Sequence, residues 1–238
     1  KLLSGTMQTA IDEIQTRSEA LSQTLISSDL VPSKSLLATM SEDATATLDG
    51  VLGGLNKSVA GRFLFSGTAT DRPAMPDLDT MMSALRAATA GLTDAQDISD
   101  ALDVFFAPGG TFETGLYSGS DAGLSAIRLT ETTSATLDIR ATDDAFRDVL
   151  KPLAMAALAA DGALSLDMPV QVDLLGRAGR DLLAAQQPLV EIRSGLGMLE
   201  ARIEESGVQI EAERTATNLA RLDLVGTDPY ESATRYEA

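Results

Sequence analysis

The chain is expected to be mainly α with an α+β insert: an antiparallel helical rod built from both chain ends, carrying a small β-containing head. Three observations predict this. Aromatic residues make up 4% of the 238, so the core must come from Leu, Ala, Val, Ile and Met, which favours helices over a sandwich. Narrow apolar stripes at three- and four-residue spacing occupy both ends. Proline, glycine and alternating stretches concentrate in the middle. Length allows one or two domains, and a compact chain of this size buries about 70% of its unfolded surface.

The first helix rests on Met7, Ile11, Ile14, Leu21 and Leu25, with Ser18 in the skipped place. Asp29-Leu30-Val31-Pro32-Ser33 ends it, because proline disfavours a helical residue before it. A second helix is expected over 35–60 from Leu37, Met40, Ala44, Leu48, Val51, Leu55 and Val59. Gly50, Gly53 and Gly54 weaken it, each by about 1 kcal/mol relative to Ala, but permit close backbone packing. Arg62-Phe63-Leu64-Phe65-Ser66-Gly67 reads as a short strand ending in a turn. Two short helices are expected over 78–90 and 95–106, and Pro108-Gly109-Gly110 breaks the chain again.

Strands are expected over 111–117, 124–131 and 133–140, the last because Leu137 and Ile139 alternate with polar neighbours. Asp143-Asp144 signals the start of a helix over 145–160, and Asp161-Gly162 its end. After Pro169 comes the longest helical pattern: Leu189, Ile192, Leu196, Leu199 and Ile203, followed by Ile210. Pro188 must kink that helix or start a new one. Gly226-Thr227-Asp228-Pro229 is a break, with Asp228 placed to cap a last helix through Ala238. The discontinuous rod is therefore 1–62 with 143–238, and the head is 63–142. Such narrow stripes do not bury themselves alone; the two ends need each other or a neighbouring subunit.

Composition excludes a good deal. With no His and no Cys, the usual zinc, haem and iron–sulfur ligand sets are absent, as are Ser-His-Asp and Cys-His nucleophiles. A net charge of −17 opposes nucleic-acid backbones and anionic membranes. No apolar run reaches the roughly 18 residues of a membrane span. No cofactor is expected, and no enzymatic role. Residue 1 is Lys and Leu2-Leu3 reads as a helix interior, so the chain is expected to be a piece of something longer.

One run of residues is more specific. Gly61-Arg62-Phe63-Leu64-Phe65-Ser66-Gly67-Thr68, led in by Asn56-Lys57-Ser58-Val59-Ala60, resembles the Gly-Arg-Tyr-Leu-Phe-Ser/Ala-Gly-Thr signature of the hook-associated protein 3 family of bacterial flagella. Tyr117-Ser118-Gly119, Asp144-Ala145-Phe146, Ile192-Arg193-Ser194-Gly195-Leu196 and Asp228-Pro229-Tyr230-Glu231-Ser232-Ala233 resemble later positions of that family. Phe63 stands where Tyr is common, and Pro73-Ala74-Met75-Pro76 replaces the family's Pro-Phe.

The resemblance implies a flagellin-like fold lacking both terminal segments, and a structural role joining hook to filament. It implies a ring of like subunits, with a neighbouring hook-associated protein and flagellin as partners. It further implies type III export without a cleaved signal, helped by a cytosolic chaperone, and a place outside the cell. Bulk flagellin, or a secreted coiled-coil protein with an acidic partner-binding head, are the alternatives.

The remaining candidates read more plainly. Gly50 to Ser58 lacks the Gly a phosphate loop requires before Lys57. Asp94, Asp97, Asp100 and Asp103 recur every three residues and read as a solvated acidic face rather than a cation site. Glu204-Glu205 and Asp143-Asp144 are adjacent, hence point apart on a helix. Asn56-Lys57-Ser58 is a formal glycosylation sequon on a predicted helix. Arg62 is placed for a salt bridge inside the rod or between subunits.

Overall fold

The computed structural model describes residues 2–27, 32–123, 127–128, 134–135 and 138–225. The protein is mainly helical with a small β insert. Its elements are α1 (Leu2–Ser27), α2 (Lys34–Leu55), β1 (Ser58–Val59), β2 (Arg62–Phe63), α3 (Leu78–Ala88) and α4 (Ala95–Phe106). A π-helical turn (Phe112–Leu116), β3 (Ile127–Arg128), β4 (Ser134–Ala135), α5 (Asp144–Ala159), α6 (Met168–Ala184) and α7 (Gln186–Val225) follow. Two compact units are formed, one from Lys1–Ser125 with Thr136–Leu196, the other from Ala126–Ala135 with Gly197–Ala238.

In the first unit α1 packs on α2, α2 on α5, α5 on α6 and α6 back on α1, a closed ring of four helices. The stripe of α1 supplies Met7, Ile11, Ile14, Leu21 and Leu25, all buried. Serines within the stripes bond backbone: Ser18 Oγ to the Ile14 carbonyl at 2.7 Å, Ser22 Oγ to that of Gly179 at 3.0 Å, and Ser41 Oγ to that of Ala157 at 2.7 Å. The last two cross between helices, so each compensates a desolvated hydroxyl while fixing register. α5 lies at the centre, buried from Val149 to Ala159 except Lys151, because α3 and α4 cover the side that α2 and α6 leave open. Its alanines at 154, 156, 157 and 159 allow that close approach on every side.

Several elements depart from the sequence expectation. α2 stops at Leu55, not 60, and Asn56 caps it. The chain then reverses in a hairpin pairing Val59 with Arg62 and Ser58 with Phe63. Its central residues Ala60 and Gly61 have φ of 51° and 76°, the left-handed pair that a two-residue hairpin turn demands. Strand pairing in the expected 62–67 strand is confined to Arg62–Phe63, since Phe65 and Ser66 turn into the core.

The 111–117 strand is instead a π-helical turn, closed by Tyr117 N–H on the Phe112 carbonyl at 3.0 Å. Phe112 is fully buried against Phe106, centroids 5.1 Å apart, and that anchor turns the segment into the core. Pro188 starts a helix: α6 closes at Ala184 and Pro188 falls in the first turn of α7, where its missing N–H costs nothing. In the second unit β3 pairs antiparallel with β4, Ile127 opposite Ala135. Residues 138–140 lie outside any strand. The Asp29–Val31 break, the flanks of the expected 124–131 and 133–140 strands with Leu137, and the Asp228-capped helix lie outside the described residues.

Candidate assembly site

The signature run is built as a clasp. Asn56, released from the helix, accepts Met75 N–H at 2.8 Å and donates to the Met75 carbonyl at 3.0 Å, so one amide side chain pins the following loop. Leu64 N–H reaches the Lys57 carbonyl and Phe63 N–H that of Thr70, holding the hairpin on both sides. Phe65, fully buried, meets Phe146 of α5 edge to face at 5.6 Å and 80°. Its carbonyl accepts Ala141 N–H at 3.0 Å, joining the signature to the lead-in of α5.

Ser66 is buried, donates its hydroxyl to the Arg72 carbonyl, and accepts Ser120 N–H on its own carbonyl. Gly67 has φ of 59° and lies under the Ser120 and Ala122 carbonyls. Thr68 closes the crossing with N–H on the Ala122 carbonyl and Oγ1 on Ser120 Oγ. Three chain segments thus meet at 63–68, 117–122 and 140–146. Within the signature Gly61, Arg62 and Thr68 face solvent, Phe63 is half-buried, and Leu64 to Gly67 are buried.

Beside the clasp, Arg140 sits among carboxylates. Its Nε lies 3.5 Å from Asp138 and 3.8 Å from Asp143, and its Nη1 donates to the Asp121 carbonyl. Burial pushes the Asp143 carboxyl up, against the backbone bond from Arg140 and its charge. Burial also pushes the Tyr117 phenol up to about 12, against the pull of Arg140, while its hydroxyl donates to the Ser120 carbonyl at 3.2 Å.

An acid whose folded pKa exceeds its unfolded value, here about 10, stabilises fully below that value and loses the contribution as pH rises through the folded one. Stability attributable to Tyr117 is therefore lost between pH 10 and about 12. Discounted for the phenol's partial exposure, the loss is about 1 kcal/mol. Phenolate absorbance of the wild type minus that of Tyr117→Phe should titrate above 10; a midpoint at the free-phenol value would remove the buried-phenol account.

Farther along, Arg147 donates to Glu113 at 2.9 Å with only 11% of its side chain exposed, and Glu113 also accepts Gly109 N–H. That pair ties the π-helical turn to α5, and neither residue was singled out by spacing. On α7, Leu189 and Leu196 are buried and Ile192 half-buried. Arg193 pairs with Asp12 at 2.7 Å and donates to Gln15, while Gln8 donates to the Arg193 carbonyl, fastening α7 to α1. Leu199 and Ile203 are half-buried. Past them Met198, Val208, Ile210, Leu219 and Leu222 are exposed, Val208 by 68%. Val208, Ala212, Thr215, Leu219 and Leu222 step four, three, four, three, a heptad-like face.

The aspartate row has divided roles. Asp94 caps α4, accepting Gln96 and Asp97 N–H; Asp103 pairs with Lys151; Asp100 accepts Gln96 Nε2 at 2.7 Å. Among the described residues no group of three or more acidic side chains is placed to hold a metal ion. Nor, among them, is any helix long and apolar enough to cross a membrane.

No protein-family model and no curated protein matches the chain. Among solved structures, a chain of Vibrio parahaemolyticus described as a flagellar hook-associated protein superposes with a TM-score of 0.45 at 11% identity, over 88% of this chain and 84% of that one. A likeness at that level assigns neither a family nor a function.

Proposed function

We propose that the protein is a non-enzymatic structural subunit of the bacterial flagellum, joining hook to filament through helical subunit packing. The observation that carries this is the run of exposed apolar residues on α7 from Val208 to Leu222. Nearly 30 residues of regular helix with a heptad-like face and little burial need another surface to be stable in use. The signature resemblance at Gly61–Thr68 gives that surface its setting. In this reading 1–62 and 143–238 form the rod that stacks with like subunits in a ring. The segment 63–142 is the head, and the neighbours are another hook-associated protein and flagellin. The subunit reaches the cell exterior by type III export with a chaperone, and no nucleic acid or membrane takes part. Helical contacts of two kinds, one toward each neighbouring ring, would carry load from a flexible tube to a stiff one.

Immunogold labelling of the protein on intact flagella tests the reading. A single band between hook and filament is expected. Label along the whole filament would make it a flagellin. Absence from flagella would overturn the flagellar role and leave a secreted partner-binding protein.

A further inference from the structure

We infer that Asp143 makes the clasp pH-sensitive, so that its three segments hold together more firmly in mild acid than at neutral pH. The device lies within the first unit and needs no partner. Arg140 and Asp143 close the lead-in of α5 with two reciprocal bonds. Arg140 N–H donates to Asp143 Oδ2 at 3.0 Å, and Asp143 N–H donates to the Arg140 carbonyl at 3.0 Å. Asp143 stands at the N-cap of α5, yet its carboxylate makes no capping hydrogen bond to the helix. It is turned instead toward the lead-in, whose Ala141 N–H holds the Phe65 carbonyl. The same arginine reaches the 117–122 segment through its Nη1 bond to the Asp121 carbonyl. The carboxyl that sets the Arg140 turn therefore acts where all three segments cross.

Charge at this point does not balance. Asp138 and Asp143 both face one guanidinium, 3.5 and 3.8 Å from its Nε. That Nε is buried and has no hydrogen-bond partner among the described residues. Asp144 follows on α5 and Asp121 lies on the facing segment, where Tyr117 is a neutral phenol. The 63–68 segment brings no titratable group. Arg147, one turn along α5, is engaged with Glu113 at 2.9 Å and Asp144 at 3.7 Å. Surplus negative charge is thus held where Asp143 keeps only 29% of its side chain exposed, and there water screens it less. A neutral carboxyl sheds that surplus and still offers an oxygen to Arg140 N–H. Burial pushes the Asp143 carboxyl up, ahead of the Arg140 backbone bond and charge that pull it down. An acid raised in this way contributes stability in full below its ordinary value of 3.8, and loses it as pH rises through the folded value. The contribution is therefore lost at neutral pH and regained on acidification.

Amide hydrogen exchange of the whole chain, read as protection factors so that the intrinsic pH dependence cancels, tests the device. Between about pH 7 and about pH 5, protection of the Ala141, Ser120 and Thr68 amides should rise about threefold or more. The Asp143 carboxyl carbon resonance should move over the same interval. Asp143→Asn keeps the acceptor oxygen without the charge, so it should show the acid level of protection already at neutral pH and little further change. Acidification also relieves the general repulsion within a chain of net charge −17. Asp49→Asn removes an exposed carboxylate on α2 and controls for that effect; it should respond to pH as the wild type does. Wild-type clasp amides that gain no protection, or an Asp143 carboxyl that stays fully ionised across the interval, would overturn the inference. So would an Asp143→Asn variant that keeps the wild-type response, or an Asp49→Asn variant that loses it.

Discussion

Gly67→Ala should destabilise the protein by about 4 kcal/mol, the largest loss expected from any single methyl group in the signature. Two costs combine. An L-residue at φ of 59° gives up roughly 1 kcal/mol relative to glycine. The added Cβ would also lie 2.8 Å from the Ala122 carbonyl oxygen and closer still to that of Ser120. Both obstacles are backbone, so no rotamer change relieves them. The segments must separate, which breaks Thr68 N–H to Ala122 and Ser120 N–H to Ser66. Gly61→Ala is the control, since its φ is 76° but nothing stands within 4 Å of the new methyl. It should cost only about 1 kcal/mol. Urea unfolding followed by far-ultraviolet circular dichroism compares the two. Equal midpoints would mean that the crossing at Gly67 is looser than described.

Phe65→Ala should cost about 3–5 kcal/mol, the range for a fully buried phenylalanine replaced by alanine. The lost ring contributes transfer free energy, leaves a cavity at the start of α5, and removes the edge-to-face contact with Phe146. Phe146→Ala should fall in the same range, and the double variant should cost less than the sum because one contact is counted twice. Phe65→Leu keeps most of the volume and should lose about 1.5 kcal/mol. Chemical denaturation of the four variants measures the coupling. Strict additivity would show that the rings stabilise the fold independently and that the signature does not lock onto α5.

The helices were legible because their stripes are local. Met7, Ile11, Ile14, Leu21 and Leu25 are buried as a three–four pattern requires, whereas Asp94, read only as part of a solvated acidic face, proves to cap α4. What was not legible came from partners distant in sequence. Periodicity carried α2 on through Val59, yet the Asn56 amide bonds to Met75, 19 residues away, compete with one more helical turn and win. Residues 111–117 read as strand, but Phe112 packs on Phe106 and Glu113 pairs with Arg147 from a π-helical turn instead of an extended chain. At the candidate site the signature residues were read as a run, but their division of labour was hidden. Phe65, Ser66 and Gly67 face inward and Arg62 outward, a distinction set by the left-handed turn at Ala60-Gly61.

By itself, then, the sequence determined the class of this protein. Its shortage of aromatics, its lack of His and Cys and its stripes at both ends require helices and exclude the common catalytic centres. Tertiary structure alone decided where helices stop, how α5 came to be enclosed, and which charges remain unspent. Those outcomes depend on side chains meeting across tens of residues, and local spacing carries no information about which distant group will be there to meet them.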